Sequence, residues 1–305
     1  MDSAPSTKRP RVDDGPSSSV IRSKVWYSDG SVVLQAETTQ FRVHASILSA
    51  ASAVFKDMFQ IAQAPSNADS QVEGCPLVQL YDDTAQDVEL VLGTLYDRTF
   101  YKEQEKPFAL VAAMLRLGQK YEFDQLREDA VSRLERRFPT TLPLFRAGAD
   151  LSGIAEYPGL VYDAINLART AGLPSILPAA LYAACTSSGK LAEIQKNILH
   201  GLPRADGKLV QLTSEDKALC ILATTAMLET QCGVKTPYFQ HRECIAAFDN
   251  ISMFPSVLRI GSAVPARMCK HCTAAAQTSM IAVEQQLWDR LPELFGLQPW
   301  KEIQK

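Results

Sequence analysis

The spacing of hydrophobic and polar residues changes near residue 44. Phe41 and Val43 alternate with polar neighbours, which is the period of a half-buried β-strand. From residue 47 onward the apolar residues recur three or four positions apart, which is the spacing of one face of an amphipathic helix. That face comprises Ile47, Leu48, Ala51, Val54, Phe55, Met58 and Phe59. The segment therefore predicts a strand followed by a helix or helix pair, with His44 at the joint.

The rest of the first 138 residues follows the same two periods. Short apolar runs bounded by turn residues predict strands at 25–27, 32–34 and 77–80. Apolar positions at helical spacing predict helices over 88–96, 108–115 and 126–134. The run Asp82–Thr84 is a candidate helix cap, and Arg133, Arg136 and Arg137 form a basic last turn that suits a helix dipole. The stretch 62–76 is predicted to be a loop.

Beyond residue 139 the sequence predicts helices separated by Pro and Gly. The predicted helices cover 157–171, 175–187, 189–200, 213–231 and 276–291. Thr213 and Asp216 fit a loose capping box before the fourth of these helices. Residues 232–270 are predicted to be loops with one short helix. The expected fold class is α+β, with short mixed strands capped by helices over 21–138 and a mostly α-helical domain over 139–305.

The first 20 residues are rich in Ser, Pro and charge, so we expect a disordered tail there. Within it, Lys8, Arg9 and Arg11 of the run KRPR are either a nuclear localisation signal or part of a solvated tail. No apolar run approaches the roughly 18–20 residues that span a bilayer. No signal-peptide core is present near the start either. We therefore expect an intracellular protein of the nucleus or the cytoplasm.

Composition and charge narrow the classes of function. The chain has 305 residues, 46% of them hydrophobic and 21% charged, which is enough to bury a core. The net charge of −3 gives no overall attraction to nucleic acid or to an anionic membrane. The sequence contains no phosphate-binding Gly-rich loop, nucleophile elbow or paired-carboxylate motif. We therefore predict no enzymatic activity and no small-molecule, direct nucleic-acid or membrane partner.

The seven cysteines contain the sharpest chemical signal. Their odd number favours reduced thiols over a disulfide framework. His241 and Cys244 form one pair at metal-ligand spacing, and Cys269 and Cys272 form a second, which is how two knuckles supply four ligands to zinc. Cys232 is an alternative ligand to His241. Such a zinc ion would be structural, since four protein ligands leave no open position; inert thiols and a redox-active CxxC are the competing interpretations.

His44 and Asp29 each allow two interpretations. His44 is either a general base or metal ligand, or a structural residue whose ring bonds local backbone groups at the strand-to-helix joint. The structural interpretation is favoured because no Ser, Cys or Asp with triad-like logic is evident near it. Asp29 is either a turn residue, placed there for local reasons, or a residue of an interface.

Together these residues resemble the signature of the BTB/POZ family. The resemblance rests on Phe41, Val43 and His44 followed by Leu48, Ser52, Phe55, Met58 and Phe59. The preceding segment with Asp29, Val32 and Val33 is similar to the family's first hairpin, and Leu115–Leu134 is similar to its closing helical hairpin. The match extends over about 22–137. It implies a strand cluster capped by helices that binds other proteins, frequently as a homodimer and in some members as an adaptor for cullin ubiquitin ligases.

The resemblance also implies where partners bind. We expect a partner or dimer interface at Val25, Trp26, Tyr27, Asp29, His44, Leu48, Phe55 and Met58. The expected partners are proteins, first a second copy of the chain and then a cullin. The favoured function is a non-enzymatic interaction scaffold. The alternatives are a substrate adaptor for a cullin ligase and a nuclear, transcription-associated regulator.

The C-terminal stretch Leu287–Ile303 is similar to the ending of many BTB proteins of mushroom-type fungi, which commonly carry a CxxC shortly before it. Its apolar residues are Trp288, Leu291, Leu294, Phe295 and Trp300. They form either a docking peptide or an anchor that fixes the last helix to the protein body, and we favour the anchor.

Overall fold

The computed structural model describes residues 20–61, 71–97, 105–147, 153–187, 190–204, 206–232, 242–244 and 268–303. The chain divides into two units. Unit 1 comprises residues 1–100 and 121–123, and unit 2 comprises residues 101–120 and 124–305. The predicted tail, apart from Val20, and most of the predicted loop region 232–270 lie outside the described residues.

Unit 1 is built on a five-stranded mixed sheet with the order β1-β3-β2-β5-β4. The strands are β1 (Ile21–Trp26), β2 (Val32–Ala36), β3 (Thr39–Val43), β4 (Gln71–Val72) and β5 (Cys75–Leu80). Strand β3 lies parallel to β1 and antiparallel to β2, while β5 lies parallel to β2 and antiparallel to β4. Strand β5 contains the strand predicted at 77–80. Strand β4 and its turn into β5 lie in the stretch predicted to be a loop, because a two-residue strand is too short to show a period.

The core of unit 1 is centred on β2. Val32, Val33 and Leu34 are consecutive and buried, so this strand is covered on both faces, as a continuous apolar run indicates. Strand β1 lies at the edge of the sheet, and Val25 is its one buried residue. The outer end of β1 is apolar and exposed at Ile21.

Three helices of unit 1 follow from local signals. They are α1 (Ala45–Ala51), α2 (Ala53–Ile61) and α3 (Ala85–Tyr96). The predicted helix pair is broken at Ser52, whose extended backbone ends α1 and whose hydroxyl accepts a hydrogen bond from the Phe55 N–H at 3.0 Å. The same hydroxyl donates to the carbonyl oxygen of Tyr121. Thr84 caps α3 as predicted, because its side chain accepts from the Asp87 N–H at 3.1 Å.

Unit 2 is almost entirely helical within the described residues. Its helices are α4 (Phe108–Lys120), α5 (Asp124–Arg137), α6 (Leu142–Ala147), α7 (Leu160–Ala171), α8 (Leu177–Cys185), α9 (Leu191–His200), α10 (Ser214–Cys232), α11 (Lys270–Leu294) and α12 (Trp300–Ile303). A small hairpin of β6 (Leu202–Pro203) and β7 (Leu209–Val210) interrupts them, which the sequence did not predict. Helix α11 begins six residues earlier than predicted, directly after Cys269. No helix in the described parts of the chain is long and apolar enough to cross a membrane.

Helix α8 forms the centre of unit 2. It contacts α7, α9, α10 and α11. Eight of its nine residues are buried, including Leu181 and Tyr182, and its apolar residues surround the helix axis. A helix that is hydrophobic all round is stable only when it is covered on all sides, so α8 requires the helices that enclose it.

A buried ion pair joins α7 to the start of α10. Asp216 is 1% exposed and accepts three hydrogen bonds from the Arg169 guanidinium, the shortest at 2.6 Å. The Thr213 hydroxyl accepts from the Asp216 N–H at 3.1 Å, so the predicted cap forms. In a full capping box the Asp216 side chain would also accept from the Thr213 main-chain N–H. Here the Asp216 carboxylate instead bonds Arg169 and the Thr213 hydroxyl.

The C-terminal aromatic residues anchor α11 and α12 within unit 2, as the favoured interpretation predicts. Trp288, Leu291 and Phe295 are at most 3% exposed. The indole of Trp300 stacks on that of Trp288, and its N–H donates to the Trp288 carbonyl oxygen at 2.8 Å. The Trp288 ring also contacts Phe145 of α6.

We predict that Asp216→Ala destabilises the protein by about 2–4 kcal/mol, because the change removes a buried carboxylate and leaves Arg169 without its partner. The midpoint of thermal unfolding should fall by roughly 4–15 °C. A suitable control is Glu293→Ala, since Glu293 forms an exposed ion pair with Arg290 at 3.8 Å that should contribute less than about 1 kcal/mol. Equal melting temperatures of the two variants would contradict this account of the α7–α10 contact.

Candidate functional site

The first candidate site is a group of four side chains in unit 1, which we call the junction cluster: Tyr27, Asp29, His44 and Tyr96. Tyr27 and Asp29 lie in the turn between β1 and β2, His44 directly precedes α1, and Tyr96 is the last residue of α3. The turn requires Gly30, because a Cβ atom there would lie 2.9 Å from the Arg42 side chain. The sequence thus brings three separate elements to one point.

A chain of hydrogen bonds connects the cluster. The main-chain N–H of His44 donates to the Tyr96 hydroxyl oxygen at 2.9 Å, and the His44 Nδ1 lies 3.0 Å from the same oxygen. On the other side of the ring, Nε2 lies 3.3 Å from the Asp29 carboxylate. All three contacts are satisfied when the Tyr96 O–H donates to Nδ1 and the Nε2–H of His44 donates to Asp29.

The rings of the cluster also pack on one another. Tyr27 stacks on Tyr96 with centroids 4.4 Å apart, and the His44 ring lies 5.4 Å from that of Tyr27. The Asp29 side chain is 81% exposed, whereas that of His44 is 23% exposed. The cluster therefore has a packed aromatic side and a carboxylate that faces solvent.

Electrostatics of the cluster favour a neutral phenol and an ionised carboxylate. The hydrogen bond from His44 lowers the pKa of Asp29, with further help from the backbone N–H of Asp29 itself. Burial raises the pKa of Tyr96. Both ring nitrogens of His44 contact protein groups, so the ring positions the loop, α1 and α3 relative to one another.

Two expectations about His44 need correction. Its ring bonds the side chains of Asp29 and Tyr96, not local backbone groups. An aspartate is also close to it, although none was evident near it in the sequence. Tyr96 was missed as a site residue because its helical spacing identifies it only as an apolar position of α3. The hydroxyl contact spans 52 residues and leaves no local signal.

The predicted interface residues fall into a buried group and a partly exposed group. Val25, Leu48 and Phe55 are 8%, 0% and 2% exposed in the single chain, so a partner cannot contact these three side chains without opening the core. Phe55 instead packs against the rings of Tyr121 and Phe123. The remaining members have exposed or partly exposed surface: Trp26, Tyr27, Asp29, His44 and Met58.

Charged residues flank Trp26 at the edge of the sheet. The Arg22 guanidinium lies 4.6 Å from the Trp26 ring centre, and it forms an ion pair with Glu73 at 2.5 Å. Arg42 bonds the other oxygen of Glu73 at 3.1 Å. Any partner at this edge therefore meets an aromatic ring beside a network of charges.

The second candidate site is a cysteine cluster in unit 2, formed by Cys244, Cys269 and Cys272. Their sulfur atoms all lie within 4.8 Å of one another. Cys244 and Cys272 are buried, and Cys269 is half-buried. The cluster could hold a metal ion, as the sequence spacing predicts. His241 and the side chain of Cys232, the two predicted fourth ligands, lie outside the described residues.

Three further cysteines are buried thiols away from this cluster: Cys75, Cys185 and Cys220. Cys75 donates to the carbonyl oxygen of Gly30 at 3.2 Å, which fixes the turn of the junction cluster to β5. Cys185 and Cys220 lie where α8 meets α10, and the hydrogen bond with Cys185, together with burial, raises the pKa of the Cys220 thiol. All three thiols lie in the packed interior.

Unit 2 also contains a groove of about 570 Å³ between α5 and α6. Apolar side chains, including Val131 and Leu144, lie beside charged ones such as Arg127 and Arg136. Leu144 is 61% exposed, so the groove presents an apolar side chain to solvent.

We predict that His44→Asn raises the pKa of the Asp29 carboxyl towards its ordinary value, because the main hydrogen bond to the carboxylate is lost. A lowered folded-state pKa means that this bond stabilises the fold fully above the unfolded pKa of about 3.9. That stabilisation is lost as the pH falls through the lower, folded value. Carbon-13 NMR titration of the Asp29 carboxyl measures the change.

Asn is a favoured helix N-cap, so this variant should retain the start of α1. The control is His200→Asn at the exposed end of α9, which should leave the Asp29 titration as it is in the unchanged protein. An Asp29 pKa that stays low without the His44 ring would contradict the geometry of the junction cluster.

Comparison with known families identifies the first part of the chain. Residues 23–137 match the family model for the BTB/POZ domain. The matched segment includes the sheet, the junction cluster and helices α1 to α5, and it is less than half of the 305 residues. No curated protein matches the chain.

Proposed function

We propose that this protein is a non-enzymatic scaffold that self-associates through its BTB/POZ domain and binds a further protein through its helical C-terminal region. A BTB/POZ domain is a module for protein–protein interaction. The domain match does not show which surface binds another protein, which protein is bound, or what the residues beyond 137 do.

The observation that carries the proposal is the partly exposed apolar surface of α1 and α2. We call this set the α1–α2 surface: Ile47, Val54, Met58 and Phe59. Val54 and Met58 are one turn apart on the same face of α2, whereas Lys56 and Asp57 between them are exposed. Neighbouring apolar side chains that stay partly exposed form a surface patch, and such a patch marks a site of protein–protein contact.

Buried side chains of α1 and α2 fix the position of this surface. Phe55 is packed in an aromatic core with Tyr121 and Phe123, and Leu48 is fully buried under α1. Helices held by such anchors keep their outer face in one orientation. A preformed face loses less entropy on association than a mobile one, which favours a stable complex.

The β1 edge of the sheet offers a second contact area. Among the strands in the described part of the chain, β1 is the end strand and pairs with β3. Val20 and Ile21 at its start are 53% and 57% exposed. A stable dimer buries about 800 Å² on each partner, so two short helices need an additional element such as this edge.

Non-enzymatic function of the whole chain is part of the proposal. In the junction cluster both ring nitrogens of His44 contact protein groups. Tyr96 stays protonated because burial raises the pKa of its phenol. The cysteine cluster is proposed to have a structural role within the helical region, with zinc as its metal.

A cullin adaptor is the second candidate, and the groove between α5 and α6 favours it. This groove lies where the matched domain ends, and it combines exposed Leu144 with charged rims. An adaptor needs one surface for the ligase and another for its substrate. Co-purification of a cullin with the full chain, lost on Leu144→Glu, would support the adaptor over the simple scaffold.

Action in the nucleus is the third candidate. It depends on Lys8, Arg9 and Arg11, which lie outside the described residues. Replacing these three residues by Ala should abolish nuclear accumulation of a fluorescent fusion if KRPR is an import signal. Unchanged distribution would leave the intracellular scaffold without a nuclear role.

We predict that Met58→Glu weakens self-association at least about tenfold, because the change buries a charge in the proposed contact. Sedimentation equilibrium of the full chain over a range of concentrations measures the dissociation constant. The folded monomer should be retained, since Met58 is only half-buried.

Leu222→Glu is the matched control. Leu222 is an apolar residue of α10 that is 67% exposed and lies outside the BTB/POZ match, so this change adds the same charge elsewhere. A monomeric unchanged protein, or equal association of the two variants, would contradict assembly through the α1–α2 surface.

A further inference from the structure

We infer that Cys244, Cys269 and Cys272 bind one zinc ion as three thiolates and that this ion fixes the start of helix α11. The inference rests on the structural role proposed above for the cysteine cluster and is independent of assembly through the BTB/POZ domain. All three cysteines lie within the described residues, and the cobalt experiment below identifies the fourth ligand.

The sulfur positions fit a zinc ion better than a disulfide. A tetrahedral zinc–thiolate site has Zn–S bonds of about 2.3 Å, which places its sulfur atoms about 3.8 Å apart. The three sulfur atoms lie within 4.8 Å of one another, so a small contraction brings them to that spacing. A disulfide would join two of the sulfurs and leave the third outside the bond, whereas one zinc ion uses all three.

The start of α11 places two of the sulfur atoms together. Cys269 is the N-cap of the helix, and its sulfur accepts a hydrogen bond from the Cys272 N–H at 3.5 Å. Cys272 lies in the first turn. The positive end of the helix dipole at these positions suits negatively charged sulfur ligands of a metal ion.

Burial makes a cation necessary for the charged form. Cys272 is fully buried and Cys244 is 3% exposed. Several thiolates taken out of water would be strongly unfavourable without a compensating positive charge. Soft sulfur ligands select zinc over magnesium or calcium, which prefer oxygen.

The connectivity of the cluster explains what the metal does. Cys244 belongs to a helical segment at 242–244, whereas the other two ligands begin α11. The far end of α11 is held by Trp288 and by the buried Glu284, which pairs with Arg146 of α6. Zinc would therefore fix the near end of a 25-residue helix whose far end is fixed by packing.

Sequence spacing supplies candidates for the fourth ligand. His241 precedes Cys244 by the same three positions that separate Cys269 from Cys272. His271 lies between the second pair, and its side chain is exposed. Four protein ligands would close the site to substrate and make it structural.

The test is metal analysis of the full chain, purified under reducing conditions with zinc in the medium. Inductively coupled plasma mass spectrometry should find one zinc per chain. Cys272→Ser and Cys244→Ser should each reduce that content severalfold, whereas Cys75→Ser, a change at a buried thiol outside the cluster, should retain it.

Cobalt substitution of the unchanged protein avoids dependence on variants that fail to fold. Tetrahedral cobalt bound to three thiolates should show sulfur-to-cobalt charge-transfer absorption together with intense visible bands. Single changes of His241, Cys232 and His271 to Ala identify the fourth ligand by which of them alters those bands.

Three outcomes would overturn the inference: no bound metal after reconstitution with zinc, full zinc content in Cys272→Ser, or a disulfide between cluster cysteines in protein from reducing cells. Each is independent of the proposed assembly, because metal content and oligomeric mass are separate readouts. A dimer without zinc would reject the metal site alone, and a zinc-bound monomer would reject self-association alone.

Discussion

The Tyr96 hydroxyl group holds together the part of the molecule on which the proposed function depends. It accepts a hydrogen bond from the main-chain N–H of His44, the residue directly after β3, and it also contacts the His44 ring. Because α1 begins at the next residue, this contact sets the direction of α1, and Ser52 then sets the start of α2. The α1–α2 surface is therefore a consequence of side chains from three separate elements of unit 1.

Unit 2 uses a different principle, in which buried charges and aromatic rings connect helices around an apolar centre. Helix α8 supplies the apolar centre, while the Arg169–Asp216 and Arg146–Glu284 pairs connect the surrounding helices. Partners of these pairs are far apart in sequence. Removing either arginine would leave a buried carboxylate without compensation, so the pairs specify which helices lie together.

Periodicity predicted most of the elements, and their capping residues, from sequence alone. The strand-to-helix change at His44, the cap at Thr84 and the buried C-terminal aromatics are all local patterns with a direct physical cause. What the sequence did not provide were contacts between distant residues: the Tyr96 hydroxyl at His44, the carboxylate of Asp29 beside the ring, and the rings of Tyr121 and Phe123 against Phe55. The strands of two residues, β4, β6 and β7, were missed because so short a segment has no period.

The central claim is that the α1–α2 surface is covered when the protein assembles. Hydrogen–deuterium exchange of the full chain, compared between dilute and concentrated solution, tests it most directly. The account predicts that residues 45–61 become protected at high concentration. Helix α8, which is buried in the monomer and in the assembly, should exchange at the same rate in both solutions. Exchange in 45–61 that does not change while the protein is shown to associate would contradict it and would place the interface elsewhere.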